Sequence, residues 1–385
     1  MALMVNRIDE NMFDVIIIGA GPAGCATALA LRNSGLRVAL IDKHIFPRDK
    51  VCGDAIPGRA ITCLKEIYPS FSDELAALDK KLITKSTACF YNNKKVEFNW
   101  VQEAYTSARM DFDNLLFSIV KNETNTKVFE NTEIKEIVKN EDGFFLQSRN
   151  NKNTFKGTFI IGADGINGIT AKKLAGYQID RNHHVASVRA YYKNVDAVKE
   201  TRTEIYFDKK YLPGYFWIFP LKDNVSNVGF GMLSEDVAQK KINIKKSFYD
   251  FIERSETLKN KFHTAEQDGG LMGCGLPLGS KWVKMSGAHF ILTGDAASLI
   301  DPASGSGIGN AVLSGKLAAE QVKKCFAEKN FSADFIKVYD KKLYKIIGAE
   351  LKRNGFALKY LSRIPFFINL GFTLGKNNFL KKFVK

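Results

Sequence analysis

A glycine-rich turn close to the N-terminus constrains the fold more than any other feature of this chain. Residues 13–43 read FDVIIIGAGPAGCATALALRNSGLRVALIDK. Residues 15–18 form an unbroken apolar run, which is typical of a central parallel strand buried on both faces. Residues 26–31 continue as an alanine-rich helix that ends at residues 34–35, and residues 38–41 form the next strand. The pattern predicts a strand–turn–helix–strand unit of an α/β fold.

The turn carries its glycines in the order G-x-G-x-x-G. The first permits a tight turn, the second lets a pyrophosphate approach the backbone, and the third allows close packing of helix on strand. Free N–H groups at the helix start favour phosphate oxygens. Asp42 ends the second strand, where a carboxylate accepts hydrogen bonds from ribose hydroxyls. The unit predicts a dinucleotide site, for FAD or NAD, with contacts at Gly19, Gly21, Ala23, Gly24, Asp42 and Lys43.

Three later segments resemble motifs of FAD-dependent monooxygenases and their relatives. SARMDFDNLLF (107–117) resembles their R-x-x-F-D-x-x-L helix, whose arginine, here Arg109, contacts the phosphate region of the flavin. GADG (162–165) follows an apolar run and resembles their DG motif, which brings Asp164 and Gly165 into the expected site. Gly294 and Asp295 resemble their GD motif, whose aspartate holds the ribityl chain. The resemblance implies FAD as the cofactor.

Small residues precede a helical pattern that begins at Ile308 and continues to about residue 328. Gly305 and Gly307 let the start of this helix approach a flat ring edge-on. Its positive end favours the negative charge of a reduced flavin. We therefore add Gly305, Gly307 and Ile308 to the expected FAD contacts. The sequence holds no second G-x-G-x-x-G, so we expect electrons from docked NAD(P)H or from a carrier protein.

The loop PRDKVCGD (47–54) resembles the P-x-x-K-x-C-G loop of the geranylgeranyl reductase family of FAD-dependent oxidoreductases. In that family the cysteine lies near the flavin face and the substrate. The resemblance implies that Cys52 is catalytic and that Cys52 and Gly53 contact the cofactor. Two roles for the thiol stay open, as a proton donor or as a shape element of the pocket. The alternative is an inert loop cysteine.

YFWIFP (215–220) resembles the Y-x-W-x-F-P stretch that lines the substrate cavity in the same family. The expected substrate contacts are therefore Tyr215, Trp217, Phe219 and Pro220. Alternating aromatic residues also suit the packing face of a half-buried strand, and both interpretations can hold together. Flavin-dependent halogenases carry W-x-W-x-I-P at this point. The tyrosine and phenylalanine found here therefore favour a reductase.

The predicted fold is a two-lobe α/β architecture. A Rossmann-type, three-layer FAD-binding lobe takes residues 12–85, 103–180 and 270–330. An antiparallel sheet lobe for the substrate takes residues 86–102 and 181–269, with a hairpin at 86–100. Residues 331–385 form a basic helical segment.

The chain has 385 residues and a formal net charge of +15, which is concentrated near the C-terminus. Residues 341–385 hold eleven Lys or Arg against one acidic residue, Glu350. This excess favours an anionic membrane surface as a partner; an ordinary solvated face is the alternative, and no motif supports nucleic acid. Six cysteines without a C-x-x-C pair predict no metal site and no disulfide framework. Because no secretory signal pattern is present, the expected location is the cytoplasm, with peripheral association at the inner face of the membrane.

The expected function is reduction of C=C bonds in an apolar, isoprenoid or lipid-like substrate by hydride from reduced FAD. Two alternatives stay open. One is an FAD-dependent monooxygenase or halogenase acting on an aromatic secondary metabolite. The other is a non-catalytic relative that binds FAD or lipid.

Overall fold

The structure is a computed structural model that describes residues 11–361 apart from 92, 93, 142, 197, 199 and 200. Within these residues the strands are β1 (Met12–Ile18), β2 (Val38–Ile41), β3 (Ala55–Ile56), β4 (Lys81–Phe90), β5 (Lys95–Thr106), β6 (Lys127–Phe129), β7 (Ile134–Lys139), β8 (Phe144–Ser148), β9 (Thr154–Gly162), β10 (His184–Lys193), β11 (Arg202–Phe207), β12 (Tyr215–Pro220), β13 (Val225–Leu233), β14 (Glu266–Pro277), β15 (Ser286–Gly287) and β16 (Phe290–Leu292).

The helices of the same residues are α1 (Pro22–Leu31), α2 (Gly58–Ile67), α3 (Phe71–Ala77), α4 (Arg109–Glu123), α5 (Ile169–Ala175), α6 (Ser234–Gln239), α7 (Ile244–Arg254), α8 (Glu256–Lys261), α9 (Ile308–Ala327), α10 (Ala333–Ile336) and α11 (Val338–Phe356). Short 3₁₀ turns occur at Arg181–His183 and Gly294–Ala297, and a π-helical turn at Ala357–Leu361 continues α11.

The predicted strand–turn–helix–strand unit lies at the centre of the first sheet. Strand β1 pairs in parallel with β2 on one side and with β9 on the other, and β16 and β6 extend the sheet outwards. An antiparallel hairpin of β7 and β8 joins it through β9. Val15, Ile16 and Ile17 have no exposed surface, as expected for a parallel strand covered on both faces.

Helices α1, α2, α4, α9 and α11 share one hydrophobic core with this sheet. Helices α1 and α9 approach each other at backbone distance. A Cβ added to Gly315 of α9 would lie 2.4 Å from the carbonyl oxygen of Ala23 in α1. The start of α9, which the sequence assigns to the flavin ring, is thereby fixed relative to the glycine-rich turn.

The second sheet has eight strands in the order β14-β10-β13-β12-β11-β4-β5-β3. Neighbouring strands of this sheet pair antiparallel, except for β11 and β4, which run parallel. One face packs on α7 and α8 through an aromatic cluster that includes Phe216, Phe230, Phe248 and Phe251. The opposite face is turned towards the first sheet and its helices.

The predicted α/β fold of two interleaved lobes is confirmed. The predicted hairpin corresponds to β4 and β5, and two residues between these strands, 92 and 93, lie outside the described part of the chain. The second sheet also takes in β3, the start of β4, the end of β5 and most of β14. The predicted boundaries assign those residues to the FAD-binding lobe.

Helix α11 forms as expected, with Leu343, Ile347 and Leu351 buried and Ile346 half exposed. Residues 362–385, the remainder of the predicted basic segment, lie outside the described residues. Among the described residues, every helix is too short or too polar to cross a bilayer.

Candidate FAD and substrate cavity

The glycine-rich turn has the backbone contacts that its sequence predicts. Gly19 adopts a φ of +101°, and a Cβ there would lie 2.3 Å from the carbonyl oxygen of Ala163. A Cβ on Gly24 would lie 1.8 Å from the carbonyl oxygen of Gly19. Both distances are far below a van der Waals contact, so neither position accepts a side chain without a backbone shift. The small residues let α1 start directly against the ends of β1 and β9.

Asp42 closes the turn from the end of β2. Its Oδ2 accepts a hydrogen bond of 2.7 Å from the Ala20 N–H, and its Oδ1 accepts one of 2.9 Å from the His44 N–H. The carboxylate is 8% exposed, and its remaining lone pairs are available for ribose hydroxyls. Lys43, beside it, is exposed to solvent.

The Asp164 carboxylate accepts hydrogen bonds from the first turn of α5. Its Oδ2 accepts a 3.0 Å hydrogen bond from the Thr170 N–H, and its Oδ1 accepts one from the Thr170 hydroxyl. Burial raises the pKa of the Asp164 carboxyl, and the bonds from Thr170 oppose this. A Cβ on Gly168 would lie 2.1 Å from the carboxyl carbon. Gly165, with a φ of +74°, turns the chain towards α5.

A buried charge cluster lies between the turn and the PRDKVCGD loop. Arg109 donates from Nε and Nη2 to the two oxygens of Asp113, at 2.6 Å each. Arg48 Nη1 lies 2.8 Å from Asp113 Oδ2. These two cations lower the pKa of the buried Asp113 carboxyl, against the effect of its burial. Arg48 Nη2 would lie 3.8 Å from a Cβ on Gly21, so Arg48 brings a positive charge to the glycine-rich turn. Arg48 is not among the site residues that the sequence predicts.

The GD segment lies opposite this cluster. Gly294 has a φ of +57°, and its N–H donates to Ser314 Oγ at 3.0 Å. Asp295 Oδ2 accepts a 3.0 Å hydrogen bond from Lys50 Nζ, which ties the PRDKVCGD loop to the 3₁₀ turn at Gly294–Ala297. Gly305 has a φ of +69°, and a Cβ there would lie 2.7 Å from the Tyr215 hydroxyl. That hydroxyl donates to the Ser304 carbonyl at 2.8 Å.

One cavity of about 1340 Å³ of empty space, including its mouth, joins these segments to the second sheet. Ten of the predicted site residues line it: Cys52, Gly53, Arg109, Tyr215, Trp217, Phe219, Asp295, Gly305, Gly307 and Ile308. The other predicted residues lie outside its lining: Gly19, Gly21, Ala23, Gly24, Asp42, Lys43, Asp164, Gly165, Pro220 and Gly294. Pro220 instead accepts a hydrogen bond from the Thr106 hydroxyl through its carbonyl.

Asn227 connects the cysteine loop to the aromatic wall. Its Nδ2 donates to the Cys52 carbonyl and to Asp54 Oδ2, at 2.7 Å each, and its Oδ1 accepts from the Trp217 indole N–H at 2.8 Å. The amide thereby uses both hydrogens and one lone pair. A Cβ on Gly53 would lie 3.2 Å from the Phe219 ring, so the loop rests directly on the aromatic strand.

Asp54, the last residue of the loop, is fully buried and lies in the left-handed region with a φ of +61°. Its Oδ2 accepts from the Tyr191 hydroxyl at 2.9 Å and from Asn227. Its Oδ1 has no hydrogen-bond partner within the described residues. Burial raises the pKa of this carboxyl to about 6, against the bonds from Asn227 and Tyr191 and the charges of Arg189 and Arg109.

Sequence reasoning missed Asn227, Asp54 and Arg189. Arg189 is buried on β10, donates to both oxygens of Asp49 at 2.8 and 2.9 Å, and lies 4.1 Å from the centroid of the Tyr191 ring. Asn227 and Arg189 are polar residues inside largely apolar, buried strands, and that is the available signal. Their partners in the PRDKVCGD loop, Asp49 for Arg189 and Cys52 and Asp54 for Asn227, are 140 or more residues away in sequence, so these contacts follow from the topology.

The residues present fit FAD. Within the described residues neither α1 nor α9 receives a side-chain cap at its N-terminus, so free N–H groups of both helices remain for a ligand. Pro22 at the start of α1 lines the same cavity as Gly307 and Ile308. Gly21 leaves the turn open to a pyrophosphate, because a Cβ there would come within 4 Å of Arg48 Nη2 alone among the described residues. A ring at the start of α9 would lie beside Cys52 and the aromatic strand.

Comparisons with known proteins agree with this geometry. Residues 12–319 match the FAD binding domain family. The chain is 28% identical, over 356 residues, to a digeranylgeranylglycerophospholipid reductase of Methanococcus vannielii, with 90% of this chain and 87% of the relative covered.

Solved structures share the fold. A geranylgeranyl bacteriochlorophyll reductase-like protein of Thermoplasma acidophilum superposes with a TM-score of 0.82 at 21% identity, over 95% of this chain and 91% of that one. A flavin-dependent brominase superposes with a TM-score of 0.80 at 21% identity, over 97% and 92% of the two chains. Reductase-like and halogenating proteins therefore share this architecture, and the chemistry must be argued from the site.

Proposed function

Because this chain belongs to the FAD binding domain family, we propose that it is a reductase that saturates carbon–carbon double bonds in an isoprenoid lipid. The protein is an FAD-dependent oxidoreductase of the geranylgeranyl and lipid reductase type, and bound reduced FAD supplies the hydride. The observation that carries the proposal is the cavity. It joins the start of α9 to an apolar, aromatic wall, with the Cys52 loop between them.

The cavity wall suits an extended apolar chain. Trp217 is the centre of the wall, and its indole lies over Gly229, where a Cβ would come within 2.0 Å of the ring. Ile83, Ile205 and Phe219 continue the lining. Hydrocarbon buried here gains about 25 cal/mol for each Å² removed from water. Binding along the chain can thereby place one double bond beside the flavin position.

We propose that Cys52 donates the proton that completes the saturation. Hydride addition at one carbon of a double bond requires a proton at the other. Cys52 lines the cavity, and its thiol lies beside the Arg109 guanidinium. Burial lowers the pKa of Arg109, but Asp113 and Cys52 together raise it well above its ordinary value. After the thiol donates its proton, solvent restores it.

A reductase is favoured over the oxygen-dependent alternatives by sequence features. The relative of Methanococcus vannielii carries a reductase name, and YFWIFP departs from the W-x-W-x-I-P of flavin-dependent halogenases at two positions. The brominase shares the fold, but 21% identity carries no argument about chemistry. Electrons come from docked NAD(P)H or from a carrier protein.

An anionic membrane surface is the proposed source of the substrate, reached from the cytoplasm. Exposed aromatic residues lie at the end of α11 and on the loop beside this helix. Phe356 packs on Tyr360 at 4.9 Å between centroids, and Trp282 of the loop packs at 3.7 Å on Tyr344, a partly buried residue of α11. Gly355 contacts Ser280, so the loop and the helix end form one surface. Lys281, Lys352, Arg353 and Lys359 lie beside it in sequence. Aromatic rings and basic residues together suit the interface of an anionic bilayer.

Mass spectrometry of lipids extracted from the purified protein tests the substrate class. The expected ligands are polyprenyl lipids in both unsaturated and partly saturated form. Recovery of an aromatic metabolite, with no polyprenyl species above the level extracted from an unrelated flavoprotein, would favour a monooxygenase or halogenase instead.

A further inference from the structure

One part of the cavity wall, on strands β4, β5 and β11, carries three polar side chains joined in a row. The Trp100 indole N–H donates to Ser86 Oγ at 2.9 Å, and Ser86 Oγ lies 2.6 Å from Thr203 Oγ1. Ser86 and Thr203 are paired residues of the neighbouring strands β4 and β11. All three line the cavity. Ser86 and Thr203 are both buried, with 8% and 4% of their surface exposed.

The hydrogens of this row exceed its acceptors. Trp100 contributes one hydrogen, which Ser86 accepts. The bond between Ser86 and Thr203 uses one of the two hydroxyl hydrogens, whichever residue donates. The other hydroxyl hydrogen has no acceptor among the described residues. A buried hydroxyl that lacks an acceptor costs about 1–3 kcal/mol, so the row is incomplete without a ligand oxygen or a water.

The surroundings of the row are apolar and carry no charge in the described lining. Ile83, Ala104 and Ile205 are its neighbours in the cavity wall. The charged residues that line the cavity are Lys50, Arg109, Arg189 and Asp295. Each of these is paired elsewhere, to Asp295, Asp113, Asp49 and Lys50 in turn. Arg189 lies on β10, three strands away from β11. An anionic group would lose its hydration at the row without gaining a counter-charge, whereas a neutral oxygen gains a hydrogen bond at a much smaller desolvation cost.

Resting on the proposed function, we infer that the substrate carries a neutral oxygen, as an alcohol, ether or carbonyl, which accepts a hydrogen bond from Ser86 or Thr203. Strand β11 is the neighbour of β12, which carries Trp217, and β4 is the next strand. Strand spacings of about 4.8 Å place the oxygen roughly 5–10 Å across the sheet from Trp217. The row fixes which double bond of an isoprenoid chain lies beside Cys52, because it holds one point of the chain at a set distance.

The test compares two probes, a polyprenyl alcohol and the matching polyprenyl hydrocarbon without the hydroxyl. Binding to the FAD-loaded protein is measured by quenching of tryptophan fluorescence, since Trp100 and Trp217 line the cavity. The wild-type protein is compared with the Ser86→Ala/Thr203→Val double variant. The control variant is Thr87→Val, which removes a buried hydroxyl from the adjacent position of β4, outside the cavity lining.

We expect the wild-type protein and Thr87→Val to bind the alcohol more tightly than the hydrocarbon. In the double variant the ratio of these two affinities should fall about three- to tenfold, the effect of losing one neutral hydrogen bond. Affinity for the hydrocarbon should be equal or higher in the double variant. FAD uptake and thermal midpoint report whether each variant is folded. An alcohol preference that is absent in the wild type, or unchanged in the double variant, overturns the inference and leaves the reductase function standing. Failure of both probes to bind the wild type overturns the isoprenoid substrate itself.

Discussion

The side-chain amide of Asn227 donates a 2.7 Å hydrogen bond to the backbone carbonyl of Cys52. Because the same amide accepts from the Trp217 indole, it fixes the cysteine loop relative to the wall that would hold the substrate. The bond joins residues 175 positions apart. It makes Asn227 a positioning residue for the reaction, although Asn227 does not line the cavity.

Replacement of Asn227 should therefore damage turnover more than cofactor binding. Asn227→Ala leaves the Cys52 carbonyl and the Trp217 N–H without their partner, and the free energy of unfolding should fall by about 2 kcal/mol or more. We expect kcat/KM to fall at least about tenfold through kcat, while FAD still binds at full occupancy. Asn140→Ala, an exposed asparagine on the β7–β8 hairpin, is the matched control. Unchanged kcat in Asn227→Ala would mean that the loop is held by its other contacts.

The buried Asp54 carboxyl predicts a specific pH dependence of stability. Its pKa rises from 3.8 to about 6 on folding, chiefly through burial. Between these pH values the folded protein holds a proton that the unfolded chain has lost. Stability from this group is complete below pH 4 and falls as the pH rises through 6, by about 3 kcal/mol at most.

The side chain of Asp54→Asn cannot ionise. As the pH rises, the wild type should therefore lose stability relative to the variant, measured as the difference between their free energies of unfolding. Urea unfolding of both proteins at about pH 3.5 and about pH 7.5, below and above the expected transition, measures this shift. Other groups cancel in the comparison. The charges and dipoles that face Asp54 come from Arg189, Tyr191, Arg109 and Asn227. A difference that is independent of pH would show that Asp54 is ionised throughout the range.

The thiol of Cys52 is predicted to donate the proton. Cys52→Ala should slow the reduction of substrate by about 100-fold or more, the usual scale for loss of a general acid, without loss of FAD. Cys52→Ser should retain an intermediate rate because a hydroxyl still carries a proton. Rapid-quench measurement of product in single turnover checks both variants. Full turnover and an unchanged product pattern in Cys52→Ala would assign the residue to pocket shape instead.

The aromatic surface at the end of α11 predicts binding to anionic vesicles. Phe356→Ser/Tyr360→Ser removes two half-exposed rings and should weaken binding by about tenfold or more. Added salt should weaken the wild type further, because it screens the basic residues. Val101→Ser, at an exposed apolar residue on β5, is the matched control. Flotation with vesicles measures binding, and equal binding of all three proteins would refute the membrane surface.

The sequence predicts the parts of this site that depend on local pattern. A strand and a helix that meet within a few residues require glycine at Gly19 and Gly24. The G-x-G-x-x-G spacing therefore predicts the turn directly. The cysteine loop and the aromatic strand were recognised by resemblance. What the sequence could not supply is the order and register of the strands in the second sheet. Trp217 meets Asn227 across neighbouring strands, and Ser86 meets Thr203 across a parallel pair that brings together residues 117 positions apart. These contacts are set by topology, and no local motif records them.

The most direct test of the reductase function is an anaerobic single turnover of the reduced, FAD-loaded protein with a polyprenyl lipid. We predict that oxidised flavin returns with lipid present and oxygen absent, and that mass spectrometry finds product heavier by two hydrogen atoms for each double bond reduced. Return of oxidised flavin with oxygen alone, together with an oxygenated or halogenated product and no saturated lipid, would contradict it.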